Sequence, residues 1–203
     1  MPETTAIVGA DGVARCPWAV TDPLNTQYHD TEWGVPVHGE QPLFERICLE
    51  SFQAGLSWLT ILRKRPAFRG AFAGFEVDRV AAFTDDDVQR LLADSAIVRN
   101  RAKIEAAVGN ARAVQRLRDA EGLDAMLWDY RDADPAAPRT VEEVPTRSAA
   151  SESMAKDLRA RGFRFVGPTS CHALMEATGI INTHLVDCHR RGISADCASS
   201  RRT

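Results

Sequence analysis

The chain has 203 residues, 44% of them hydrophobic and 26% charged, with a formal net charge of -3. That make-up suits a soluble globular protein of one domain or two small ones, and no run approaches the eighteen or so apolar residues needed to cross a bilayer. The slight negative charge gives no global pull toward nucleic acid or a membrane surface, so contact with DNA would have to rest on local positive charge.

In chain order, the first fifteen residues carry no apolar periodicity and no secretory pattern, which predicts a loosely ordered tail (1–15) on a cytoplasmic protein. The stretch "PLFERICLESFQAGLSWLTILRKR" spaces Phe44, Ile47, Cys48 and Phe52, then Leu59 and Leu62, as helices do, with Gly55 as the break. "TDDDVQRLLAD" opens with a capping threonine and three aspartates that favour a helix N-terminus. After a short hairpin, "NRAKIEAAVGNARAVQRLRDAEG" puts Ile104, Val108, Ala111 and Leu117 on one stripe and stops near Gly122. The Pro-rich run 132–145 reads as an exposed connection. "SESMAKDLRARG", capped by Ser151, and "TSCHALMEATG", from Thr169 to Gly179, read as two more helices, and the tail 193–203 as loosely ordered. Almost nothing resembles a strand, so the fold class is all-α.

Three constellations carry chemistry. Cys16 and His29 lie near one end, and His184 and Cys188, four residues apart, near the other. Four such ligands make a closed structural zinc site, while buried thiols and a satisfied core histidine fit the same spacing; five cysteines without Cys-x-x-Cys argue against disulfides and thiol redox chemistry. Glu50 sits in an apolar stretch, with Trp18, Tyr28, Trp33 and Trp58 nearby in the chain. A carboxylate there needs a partner or a function: it is either a structural glutamate among core rings or the floor of a pocket for a flat ligand. Arg99, Arg101 and Lys103 surround the hairpin turn, where the following helix N-terminus can hold a phosphate, or they form a solvated face. Arg63, Lys64, Arg65 and Arg69, then Arg190 and Arg191, add local positive charge.

Together, "YHDTEWGVP", "LFERICLESFQAGLSW", "IVRNRAKIEAAVGNARA" and "RGFRFVGPTSCHALMEATGIINTHLVDC" closely resemble the DNA-3-methyladenine glycosylase I family, over nearly the whole stretch from Cys16 to Cys188. The resemblance implies an all-α helix-hairpin-helix DNA glycosylase fold, a single domain over 16–192 with the pocket between two helical lobes, and a structural zinc that joins the terminal segments. Its zinc ligands fall on Cys16, His29, His184 and Cys188. Its base-recognising glutamate falls on Glu50, expected to be the catalytic residue through recognition and electrostatic help and not as a general base. Its pocket aromatics fall on Trp58, Trp33 and Tyr28, and its DNA-plugging segment on Gln53 to Leu56 with Gly55 between. DNA contacts are expected at Gln53, Gly55, Leu56, Arg99, Arg101 and Lys103.

The implied partner is double-stranded DNA carrying alkylated bases, the product is free 3-methyladenine, and the protein is expected to be a monomer without membrane attachment. Two positions depart from the family pattern. Asn25 stands where a second pocket tyrosine is common, which predicts a smaller, more polar wall, and the hairpin "ADSAIVRNR" lacks glycine. The rival readings are a non-catalytic module for alkylated or distorted DNA, with a pocket degraded at Asn25, and a zinc hydrolase. Four protein ligands argue against the second, since a catalytic zinc keeps an open position.

Overall fold

The computed structural model describes residues 5–131 and 137–192, and these are mostly helical. Where the sequence suggests only loose chain before Cys16, a small hairpin forms: β1 (Ile7–Val8) pairs antiparallel with β2 (Ala14–Arg15). Arg15 anchors it by ion pairs to Asp11 and Asp30, both at 2.8 Å. The tail 193–203, and residues 132–136 of the Pro-rich connection, lie outside the described residues.

A 3-10 turn (Pro17–Thr21) leads into α1 (Pro23–Thr31), whose N-cap Asp22 accepts from the Leu24 N–H. Then come α2 (Glu40–Gln53), α3 (Trp58–Ala71), the short α4 (Val77–Ala81), α5 (Asp85–Ala93), α6 (Arg101–Leu117), α7 (Leu123–Trp128), α8 (Ala149–Ala160) and α9 (Pro168–Ala177). Local chemistry sets these boundaries. Thr84 and Asp87 close a capping box on α5, and Asn100 Oδ1 accepts the Lys103 N–H at the start of α6. The cap of α8 is Ser148, not Ser151. The two serines bond each other's backbone reciprocally, so the helix starts three residues earlier than expected.

Central to the fold is α2, which packs against α3, α6, α7 and α9. Consequently nearly its whole second half is buried, including Ile47, Cys48, Leu49, Glu50, Ser51 and Phe52. Phe52, Phe68, Phe72 and Phe75 join in edge and stacked contacts of 4.6 to 6.1 Å between centroids. Truncating one of these fully buried rings to alanine would cost about 3–5 kcal/mol. One such core spans α2 to α9, and a small separate cluster contains Cys16, Leu185 and Cys188.

Gly55, at φ +83°, ends α2 and lets the chain turn into α3, whose N-cap Ser57 accepts from Thr60. Gly179 is a tighter case. At φ +72°, its missing Cβ would stand 2.7 Å from the Gly34 carbonyl, so only glycine lets the chain after α9 press against residues 34–36. Beside it, the Val37 N–H donates to the Thr178 carbonyl at 3.0 Å, fixing the loop that follows Trp33.

Candidate functional site

Beside the C-terminal turns of α2 lies a cavity of about 160 Å³, lined by Trp18, Tyr28, Trp33, Glu50, Gln53, Trp58, Ala173 and Glu176. It suits one flat ring system, being smaller than pockets for drug-sized ligands. The 3-10 turn supplies Trp18, α1 supplies Tyr28, α2 the carboxylate, α3 Trp58 and α9 Glu176. The rings of Tyr28 and Trp58 lie 5.2 Å apart at 48°, and those of Trp18 and Trp33 meet edge to face at 5.1 Å.

Three polar atoms of this wall are buried without a hydrogen-bond partner in the protein: Glu50 Oε2, Tyr28 Oη and Trp58 Nε1. Buried polar groups are nearly always paired, so three orphans around one cavity mark a surface complementary to something polar. Glu50 is 5% exposed; its carboxyl is pushed up to about 8 by burial first and by the charge of Glu176 second, with Arg46 pulling the other way. Burial likewise pushes Glu176 up to about 7, against the 2.6 Å hydrogen bond donated by Thr183 Oγ1.

Under Tyr28, Arg46 stands 5.8 Å from the ring centroid and bonds Glu32 at 2.9 Å, which also takes a bidentate pair from Arg65 at 2.7 Å each. Burial pulls the Glu32 carboxyl up, but the two guanidiniums outweigh it and hold it down at about 2. That ion network locks α1, α2 and α3 together behind the cavity.

The second assembly is the metal-capable cluster of Cys16, His29, His184 and Cys188, all buried, with ligand atoms within 4.8 Å of one another. Cys188 Sγ lies 3.4 Å from His29 Nε2 and 3.6 Å from His184 Nδ1, and Cys16 Sγ lies 3.8 Å from His184 Nδ1. The outer nitrogen of His29 is 2.8 Å from Asp30 Oδ1, and the Arg15 guanidinium holds that carboxylate. A carboxylate behind a histidine fixes the tautomer that presents the other nitrogen inward. Trp33 connects the assemblies: its ring stacks on His29 at 5.9 Å and meets His184 edge-on at 4.4 Å. His189, which the sequence crowds beside Cys188, faces the Ala14 carbonyl (3.0 Å) and Asp30 instead.

The structure corrects three expectations. Asn25 does not line the cavity; its amide donates to Thr21 Oγ1 at 2.9 Å, and Trp18 is among the lining residues. Lys103 is no solvent-facing cation, since its ammonium donates to the Phe52 and Ala54 carbonyls at 2.9 and 2.6 Å and caps α2. The Arg63–Arg69 patch is largely neutralised: Arg63, Arg65 and Arg69 pair with Asp22, Glu32 and Glu45, while Lys64 bonds the hairpin carbonyls of Ser95 and Ala96. Arg191 staples the carbonyls of Asn182 and His184. Arg99 and Arg101 remain exposed, as do Gly55 and Leu56. Sequence reasoning missed Glu176, although an acid between Met175 and Ala177 on an apolar helix gives the signal that singled out Glu50.

Comparison with known proteins gives one consistent result. A family model described as methyladenine glycosylase matches residues 18–191. The chain is 45% identical over 177 residues to DNA-3-methyladenine glycosylase 1 of Escherichia coli K12, covering 86% of this chain and 95% of that protein. It superposes on a crystal structure of 3-methyladenine DNA glycosylase I with a TM-score of 0.83 at 43% identity, covering 86% and 98% of the two chains. A Staphylococcus aureus 3-methyladenine DNA glycosylase I, whose structure addresses 3-methyladenine recognition, matches with a TM-score of 0.82 at 35% identity, covering 87% and 96%.

Proposed function

The chain belongs to the methyladenine glycosylase family, and from that premise we propose that it excises 3-methyladenine from DNA in base-excision repair. The enzyme hydrolyses the N-glycosidic bond, freeing the base and leaving an abasic site. The observation that carries the reading is the aromatic cavity in which Glu50 Oε2, Tyr28 Oη and Trp58 Nε1 have no partner in the protein.

Methylation at N3 places a positive charge on the nucleotide's purine. When the C1′–N9 bond breaks, its electron pair goes to the base, which leaves neutral; water adds at C1′ and one proton is released. The protein therefore has mainly to extrude the nucleotide, hold the charged ring and admit water. Glu50 accepts from the exocyclic amine and, once ionised, favours the cation, while Trp58 stacks on the ring with a cation–π contribution of about 0.5–2 kcal/mol. Trp33 and Tyr28 close the sides, and Glu176 stands as a second acid in the wall. Glu50 touches the base and is the catalytic residue of this reading, through electrostatics and recognition.

The fold is read as the helix-hairpin-helix glycosylase type, one domain over 16–192 with the cavity between two helical lobes. In it α5, the turn before Asn100 and α6 bring Arg99, Arg101 and backbone amides to a phosphate. Gln53, Gly55 and Leu56 occupy the gap left by the extruded nucleotide. The metal that would fit is zinc, which Cys16, His29, His184 and Cys188 would hold. Tetrahedral bonds of about 2.3 Å to sulfur and 2.0–2.1 Å to nitrogen would set sulfur and nitrogen about 3.5 Å apart, and three sulfur–nitrogen separations in the cluster, Cys188 to His29 and His184 and Cys16 to His184, run from 3.4 to 3.8 Å. Four protein ligands would leave no place for water, so the zinc would supply a crosslink between the segments around Cys16 and Cys188 and steady Trp33.

Asn25 bonds Thr21 and is not among the residues that line the cavity, which favours the enzyme over a binding-only module with a degraded pocket. The test is release of base: purified protein is incubated with methylated duplex DNA and freed 3-methyladenine is measured by chromatography. Release well above background is expected. DNA binding without release would overturn the reading.

A further inference from the structure

Phe165 holds φ +57°, a left-handed conformation that is strained for any residue with a Cβ. Hydrogen bonds on both sides over-determine it. Asn110, buried in α6, donates from Nδ2 to the Arg164 carbonyl at 3.1 Å and accepts the Arg164 N–H at 2.8 Å. Ser51 Oγ, one residue beyond Glu50, lies 3.2 Å from the Phe165 carbonyl and 2.7 Å from the Ile47 carbonyl, so the two carbonyls share its one proton. Such a clamp would suit a core side chain, yet Phe165 is 38% exposed, and it is the one exposed phenylalanine among the described residues. Arg164 beside it is exposed too.

The position of the ring gives this exposure a use. Phe165 borders a narrow crevice together with Glu50, Ser51 and Val166, so it stands next to the cavity's carboxylate. Leu56, 41% exposed, leaves the same end of α2, its N–H bonded to the Gln53 carbonyl at 2.6 Å. Two exposed apolar side chains on hydrogen-bonded backbone thus flank the helix end that carries Glu50, one with a guanidinium beside it. A ring that can stack on bases and a cation that can meet phosphate are the chemistry of a nucleic-acid contact.

We infer that Phe165 is a second wedge: it stacks on the bases beside the extruded nucleotide while Arg164 meets the neighbouring phosphate, so that the opened duplex is held from two sides, by Leu56 and by Phe165. The inference rests on the glycosylase reading above. Its test measures affinity for a duplex with a tetrahydrofuran abasic-site analogue, kcat/KM on methylated duplex DNA, and affinity for free 3-methyladenine, in Phe165→Gly and Phe165→Tyr. Glycine relaxes the positive φ, so folding is retained while the ring is lost. Phe165→Gly is expected to weaken duplex binding about tenfold and lower kcat/KM in proportion, to leave free-base affinity unchanged, and to be rescued by Phe165→Tyr. Duplex affinity within twofold of the wild type, or an equal fall in free-base affinity, overturns the wedge. A wild-type protein that releases no base would instead overturn the glycosylase reading.

Discussion

The cavity and the Cys/His clasp are both buried, both lined by titratable groups and joined through Trp33, yet they treat those groups in opposite ways. In the clasp the four ligand atoms converge on one another and Asp30 and Arg15 back the His29 ring, although the outer Nε2 of His184 is left without a hydrogen-bond partner. In the cavity, Glu50, Tyr28 and Trp58 each keep a buried polar atom without a protein partner, and the charge of Glu176 adds to burial in pushing Glu50 upward. Side chains that satisfy one another make a joint, and side chains that cannot make a receptor. If that contrast is right, mutations in the clasp change stability and mutations in the cavity change binding.

The largest effect is expected in the clasp. Cys188→Ala removes one of the four proposed zinc ligands, and because metal binding at such a site would be folding free energy, the loss should be on the order of 5 kcal/mol, with Tm lower by about 10–20 °C. Metal analysis should give about one zinc per chain in the wild type and a small fraction of that in the variant. Unchanged metal content with unchanged Tm would dissolve the contrast, since the cluster would then be ordinary core.

Next comes the cavity. Glu50→Gln should lower base release about 10²–10³-fold and affinity for the methylated base with it, while binding to unmethylated duplex and Tm hold or improve, because an unpaired buried acid is gone. Its pH dependence carries a sign. With its pKa raised to about 8, Glu50 is mostly protonated in the open cavity at neutral pH, and a bound cation favours the ionised form. Affinity for methylated DNA should therefore rise with pH up to about 8 and be lost as pH falls below it. Glu176→Gln removes the like charge that helps raise Glu50, so the whole limb should move to lower pH. A limb that stays in place would show the two acids to be uncoupled.

Much of this was legible in the residues. Helical spacing with Gly55, Thr84 and Gly122 as punctuation gave α2, α3, α5 and α6 to within a few residues, because caps and breaks are local chemistry. The hairpin before Cys16 was not, since it depends on Arg15 reaching Asp30, fifteen residues on. Glu50 declared itself by its apolar neighbours, and Glu176 did so as clearly but went unread. What sequence could not give was direction: Asn25 turns to Thr21, only four residues back, while Lys103 turns to α2 and Phe165 outward through contacts set by distant segments.

The smallest effect separates cations that share one stretch of sequence. Arg99 and Arg101 are exposed at the entrance to α6, whereas Lys103, two residues further on, spends its ammonium on the Phe52 and Ala54 carbonyls. Each phosphate contact contributes about 0.9 to the slope of log affinity against log salt. Replacing Arg99 and Arg101 with glutamine should therefore flatten the slope by up to about two, with Tm nearly unchanged. Lys103→Met should do the reverse, leaving the slope alone and costing about 1–3 kcal/mol, because it strips the cap from the helix end that holds Glu50 and Gln53 in the cavity wall. If Lys103→Met flattened the slope as the arginines do, Lys103 would have to leave α2 when DNA binds, and the hairpin would belong with the receptor and not with the frame.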